Sequence, residues 1–145
     1  MNAKVSLLGF VAAVAGLLGL LARNELFDPN PVTIALQVLA FAFMVWARLT
    51  FGLRSFHAAA NTTEGELVTR GPYALVRNPI YAAVILFVWA GVGAHLGLAS
   101  VGLGLLVLGG MLVRVFAEER ELRERYKDAF SAYCVRVKRL VPGVF

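Results

Sequence analysis

The sequence predicts an all-α fold: a polytopic membrane helix bundle with about four transmembrane helices and a C-terminal amphipathic helix. Three observations carry this. The 145 residues are 59% hydrophobic and only 16% charged, and mean hydropathy is +0.74, well outside the balance of a soluble domain. Four apolar segments recur, at roughly 4–22, 31–50, 79–95 and 98–116, each near the ~20 residues that cross a bilayer. Beyond residue 116 the pattern changes to an apolar stripe beside a charged face.

The first segment, VSLLGFVAAVAGLLGLLA, has no Ala-x-Ala cleavage pattern after its apolar run, the triplet at 13–15 lying inside it, and is followed by further spans, so it reads as a retained helix and not a secretory signal. Gly9, Ala13 and Gly16 recur in it at helical spacing, which allows a neighbouring helix to approach closely in lipid. DPNP at 28–31 marks the turn into the second segment, because proline breaks helices and biases its predecessor away from the α region. The second span closes in WARLTFGLRSF, with Trp46 suited to the interface and Arg48 able to snorkel.

Residues 52–78 form the longest stretch without a clear span. Their turn formers, acids and prolines predict an irregular segment with short helical pieces, and a loop of this length in a small protein is usually functional. His57 lies near its start with no carboxylate beside it in sequence. The third and fourth segments turn around AHLGL, near residue 97. Antiparallel pairing about that point sets Asn78 opposite Phe116 and Tyr81 opposite Val113, to within about one helical turn, ~5 Å. Gly102, Gly104, Gly109 and Gly110 permit close packing of the fourth span. The following run, RVFAEERELRERYKDAFSAYCVRVKRL, places Leu122, Tyr126, Phe130, Tyr133 and Val137 on one stripe, with Pro142 as the expected stop. Such a helix lies along the membrane surface or folds back as a lid.

Charge placement predicts the topology. Arg48, Arg54, Arg70 and Arg77 flank the second loop, and eight basic residues follow from Arg114 onward, while the turn between spans three and four carries only His95. Loops rich in Lys and Arg face the cytoplasm. Both termini and the 48–78 segment are therefore expected there, in a cell (inner) membrane protein. The net charge of +5 sits on these flanks and suits anionic headgroups, not nucleic acid. A lone cysteine, Cys134, rules out an intrachain disulfide and a cysteine-based metal cluster. No metal is expected.

The hairpin brings GPYALVRNPIY at 71–81 beside Arg114, Glu118 and Glu119. Carboxylates and aromatic faces favour a cation, and an arginine one turn away offers donors for an anionic group. This combination suits a zwitterionic cofactor such as S-adenosyl-L-methionine beside a lipophilic or small-molecule acceptor, with alignment and desolvation supplying most of the catalysis.

GPYALVRNPIY resembles the G-P-Y-x-x-x-R-[HN]-P-x-Y motif of the isoprenylcysteine carboxyl methyltransferase and phospholipid methyltransferase families. EERELRERYKDAFSAYCVRVKRLVP resembles their E-E-x-x-L…Y-x-x-Y-x-x-x-V-x-R-x-x-P ending. The resemblance covers about residues 50–145. It implies a single membrane domain, with an N-terminal helical hairpin at 1–51 and a cofactor-binding methyltransferase core at 52–145. It also implies that Gly65, Glu66, Leu67, Val68, Tyr73, Asn78, Pro79, Ile80 and Tyr81 line the methyl-donor pocket, with Thr69 beside them. Glu118 would bind the donor, Glu119 would shape the same wall, and Arg114 would position the acceptor. Asn78 stands where many members have histidine, and Ala83 where glycine is common. Two other readings stay open. One is a non-catalytic membrane scaffold or lipid-binding protein. The other is an oxidoreductase of sterol-reductase type, for which the chain has no extra polar segment to form a dinucleotide site.

Overall fold

The structure, a computed structural model, describes residues 3–52 and 66–145. Among the described residues four α-helices follow in order: α1 (Ala3–Ala22), α2 (Pro31–Phe51), α3 (Pro79–His95) and α4 (Leu98–Arg136), with a 3₁₀ turn at Gly71–Ala74. The described residues contain no named β-strand. Three helices, α1, α2 and α4, are long and apolar enough to cross a membrane. At 17 residues α3 lies at the short end of the spanning range.

The helix boundaries follow local chemistry. Asn30 caps α2 by accepting from the Val32 amide at 2.9 Å, and Pro31 occupies the first turn, where its missing N–H costs nothing. The turn into α4 is made by Leu96 in the left-handed region, followed by Gly97 as N-cap. Ser100 and Gly97 exchange hydrogen bonds there at 3.2 Å.

Each N-terminal helix takes a different partner: α1 packs along α4 and α2 along α3, while α3 and α4 also meet. The α1–α4 seam uses the small residues read from the sequence. A Cβ added at Gly9 would stand 2.8 Å from the Gly110 carbonyl oxygen, and one at Gly16 would stand 2.8 Å from that of Leu103. Of the four glycines singled out in α4, Gly104 and Gly110 meet neighbours, whereas Gly102 and Gly109 face open space. At the far end of the bundle the Gln37 amide donates to the carbonyls of Leu26 and Phe87, at 2.8 and 3.3 Å, and ties the first loop to α3.

The fourth span runs on as far as Lys127, where the backbone leaves helical geometry (φ 44°, ψ −113°) and a kink sets off a second helical stretch that ends at Arg136. Leu122, Phe130 and Tyr133 are buried, with Leu67, Tyr126 and Val137 packed against them, as the stripe predicts. Helix α4 ends at Arg136, before the proline expected to stop it. Val137 is extended (φ −121°, ψ 133°), because the chain is drawn into a parallel bridge between Lys138 and Val76. The amides of Arg77 and Asn78 donate to the carbonyls of Lys138 and Arg139, at 2.7 and 3.1 Å.

Candidate active site

Two adjacent glutamates on α4 anchor two different polar clusters. Successive helical residues are ~100° apart, so Glu118 and Glu119 cannot face the same neighbours. Both are buried, at 6% and 4% exposure. Neither belongs to a solvated face.

Glu118 turns toward α3. The Tyr81 hydroxyl donates to its Oε1, and the Arg114 Nε donates to that same hydroxyl at 3.1 Å. The Arg114 Nη2 lies 3.6 Å from Glu118 Oε1, one turn along α4. Tyr81 therefore bridges a carboxylate and a guanidinium across the α3–α4 hairpin. The observed pairing falls within one turn of the register expected from the sequence. From the α1 side, the Arg114 guanidinium lies 5.1 Å above the Phe10 ring.

Tyr73, on the 3₁₀ turn, is buried against Ala47 and Phe51, with Val68 and Ile80 packed around it. Burial, and next the negative charge of Glu118, push its phenol well above its ordinary pKa, against a smaller opposing effect of Arg48. Tyr73 is therefore neutral at physiological pH. Its carbonyl accepts from the Tyr133 hydroxyl at 2.5 Å, which pins this turn to α4 beyond Lys127.

Glu119 faces the returning tail. Its carboxylate accepts from Arg77 Nε at 3.1 Å, from Asn78 Nδ2 at 2.8 Å and from Arg139 Nε at 2.9 Å. Arg77 also donates from Nη1 to the carbonyls of Cys134 and Val137. A buried carboxylate among two guanidiniums and an amide is well compensated. The Asn78 side chain is 2% exposed. With its amide nitrogen on Glu119, its Oδ1 is buried without a hydrogen-bond partner among the described residues. An unpaired buried acceptor is costly to maintain; a ligand N–H would satisfy it.

Of the residues picked from the sequence, Tyr81 and Arg114 thus gather around the buried carboxylate of Glu118, with Tyr73 near enough to feel its charge. Asn78 and Glu119 join a second cluster with Arg77 and Arg139. Pro79 is buried at the start of α3, while Val68 and Ile80 pack beside Tyr73. Leu67 packs against the Leu122–Phe130–Tyr133 cluster, and Glu66 is exposed. Gly65 and His57 lie outside the described residues. Sequence reasoning passed over Phe10, Arg139 and the donor role of Tyr133. Arg139 and Tyr133 are both fixed positions of the C-terminal motif and were open to detection. Phe10, an ordinary apolar residue in a span, carried no signal.

No curated protein and no solved structure matches the chain. The family model for phospholipid methyltransferase does, over residues 30–129, a range that holds α2, the 3₁₀ turn, α3, and α4 through both glutamates. The chain belongs to the phospholipid methyltransferase family.

Proposed function

We propose that the protein is an integral membrane methyltransferase that uses S-adenosyl-L-methionine to methylate a small or lipophilic acceptor reaching the site from the bilayer. The observation that carries this reading is the buried Tyr81–Glu118–Arg114 cluster, at the end of the α3–α4 hairpin within the family match. When bound, the cofactor supplies an electrophilic methyl group on a sulfonium. The residues present fit it. The buried carboxylate of Glu118 suits the donor's positive charge, the neutral Tyr73 ring suits the sulfonium, and the unpaired Asn78 Oδ1 suits an N–H. Arg114 holds Glu118 in place and presents a guanidinium toward an anionic acceptor group.

In this assignment the remaining residues act by position. Leu67, Val68, Pro79 and Ile80 form apolar walls that exclude water, which strengthens every charge interaction inside. Gly65, outside the described residues, and the exposed Glu66 directly precede Leu67 in the sequence. Glu119 acts one step back, fixing Asn78 and the tail. The basic residues of the 48–78 segment and of the tail support a cytoplasmic orientation of this end, in the inner membrane of the cell.

Titration calorimetry of the detergent-solubilised protein with S-adenosyl-L-methionine tests the reading, alongside Glu118→Gln. Saturable binding that weakens in the variant is expected, since a hydrogen bond to a charged group contributes about 1.5–3 kcal/mol, roughly ten- to hundredfold in affinity. Absence of binding to folded wild-type protein would refute the cofactor assignment.

A further inference from the structure

An apolar groove runs along another side of α4. Leu108 and Leu112 line it. They precede Glu119 by close to three and two helical turns, so they lie in line with Glu119 and well round the helix from Glu118. On α3 the lining runs from Ala82 to Trp89, about 10 Å along the axis, and α2 supplies the far wall. The volume is about 730 Å³, with an almost wholly apolar surface.

The C-terminal residues close one end. The amides of Leu140 and Val141 both donate to the backbone oxygen of Phe145, at 2.6 and 2.7 Å, and this turn brings Leu140, Pro142 and Phe145 into the lining. The Arg139 guanidinium lies 5.0 Å over the Phe145 ring and 4.7 Å over Phe116. Just before the turn, Arg136 and Lys138 are exposed, and no acidic residue occurs from Val135 to the last residue. Val135 and Val144 are exposed on either side. Cations interleaved with bare apolar side chains at one end of an apolar groove match the cross-section of a lipid: chain below, negative headgroup above.

We propose that this groove binds one acyl chain of an anionic phospholipid, with its headgroup against Arg136 and Lys138. The site is separate from the Glu118 cluster and does not depend on the cofactor assignment. The lipid would brace the C-terminal turn, and through Arg139 the Glu119 cluster.

The two tryptophans make a direct test. Trp46→Phe leaves Trp89, which lines the groove, as the only tryptophan, and excitation at the red edge of the indole band reads it apart from the tyrosines. The variant is reconstituted in phosphatidylcholine vesicles holding a minor fraction of either phosphatidylglycerol or phosphatidylcholine brominated on the acyl chains. Trp89 emission should be quenched by the brominated phosphatidylglycerol with roughly fivefold preference, the effect of about one basic residue near an anionic headgroup. Adding Arg136→Gln and Lys138→Gln should abolish the preference with helix content unchanged by circular dichroism. Equal quenching by the two lipids, no quenching by either, or a preference that survives the double substitution would each overturn the proposal.

Discussion

Arg77 and Glu119 stand 42 residues apart in the chain and pair through Nε and Nη2 at 3.1 and 3.4 Å. The pair is buried on both sides, with 9% and 6% side-chain exposure. Around it the chain closes on itself: the segment before α3, the middle of α4 and the tail after α4 all meet at this carboxylate. A buried pair of this kind need not exceed an apolar substitute in stability, but removing one partner strands the other.

Glu119→Ala should therefore destabilise the protein by about 3–5 kcal/mol, because it leaves the Arg77 and Arg139 charges and the Asn78 amide without their shared acceptor. Glu124→Ala breaks the exposed Arg120–Glu124 pair and should cost no more than about 0.5 kcal/mol. Unfolding midpoints of the two variants in one detergent make the comparison. Equal midpoints would show that Glu119 is not the structural anchor of the tail.

The hairpin geometry that assembles this region was legible in the sequence; the division of labour within it was not. Counting back from the turn near residue 97 was enough to bring Tyr81 to Arg114 and Glu118, since a rigid helical pair converts residue number into depth. That count is blind to rotation about the helix axis. It could not show that Glu118 faces α3 while Glu119 faces the tail. The tail itself followed its apolar stripe as far as Tyr133, a local periodic signal. Its extended return beside Val76 depends on a non-local backbone pairing that no periodicity encodes. The partition of α1 and α2 between α4 and α3 was equally hidden, because helices in lipid choose partners by surface shape.

The Tyr133 hydroxyl donates to the carbonyl of Tyr73 across 60 residues, within a buried site. Tyr133→Phe leaves that carbonyl without its donor at a net cost of about 0.5–1.5 kcal/mol. Since the loss falls on the contact that holds α4 beyond Lys127 to the 3₁₀ turn, local opening should rise more than global unfolding. Trypsin cleavage after the exposed Arg136 and Lys138 should therefore speed up several-fold, in line with that energy, with little change in midpoint. A cleavage rate identical to wild type would remove Tyr133 from the account of the tail.

Tyr73 sets an alkaline limit on stability. Its phenol is raised by burial and then by Glu118, so its pKa is higher in the folded than in the unfolded chain. Stabilisation from this group is fully present below the unfolded value of about 10 and is lost as pH rises through the folded value. Wild-type stability should fall as pH is raised past about 10. Tyr73→Phe should reduce that slope by close to one proton's worth, while losing nothing further at neutral pH beyond the hydroxyl itself. Equal slopes from unfolding curves taken across this range would mean that Tyr73 ionises as freely folded as unfolded.

Neighbouring glycines in α4 offer a test of the seam that holds α1. A Cβ at Gly110 would collide with the Gly9 carbonyl oxygen and stand 2.8 Å from the Ala13 amide nitrogen. Both obstacles are backbone, so no rotamer change relieves them. At Gly109, one residue away, an added Cβ meets nothing within 4 Å. Helix propensity alone would make either substitution by alanine favourable, by about 0.5–1 kcal/mol. Gly109→Ala should therefore leave the midpoint unchanged or raise it slightly. Gly110→Ala should force α1 away from α4, losing packing of the order of 1–3 kcal/mol as in other overpacked cores, and loosening the Phe10 contact beneath Arg114. Thermal unfolding of both variants in the same detergent separates the cases. If Gly110→Ala proved as stable as Gly109→Ala, α1 would not be seated against α4 through this small-residue seam, and its place over Arg114 would fall with it.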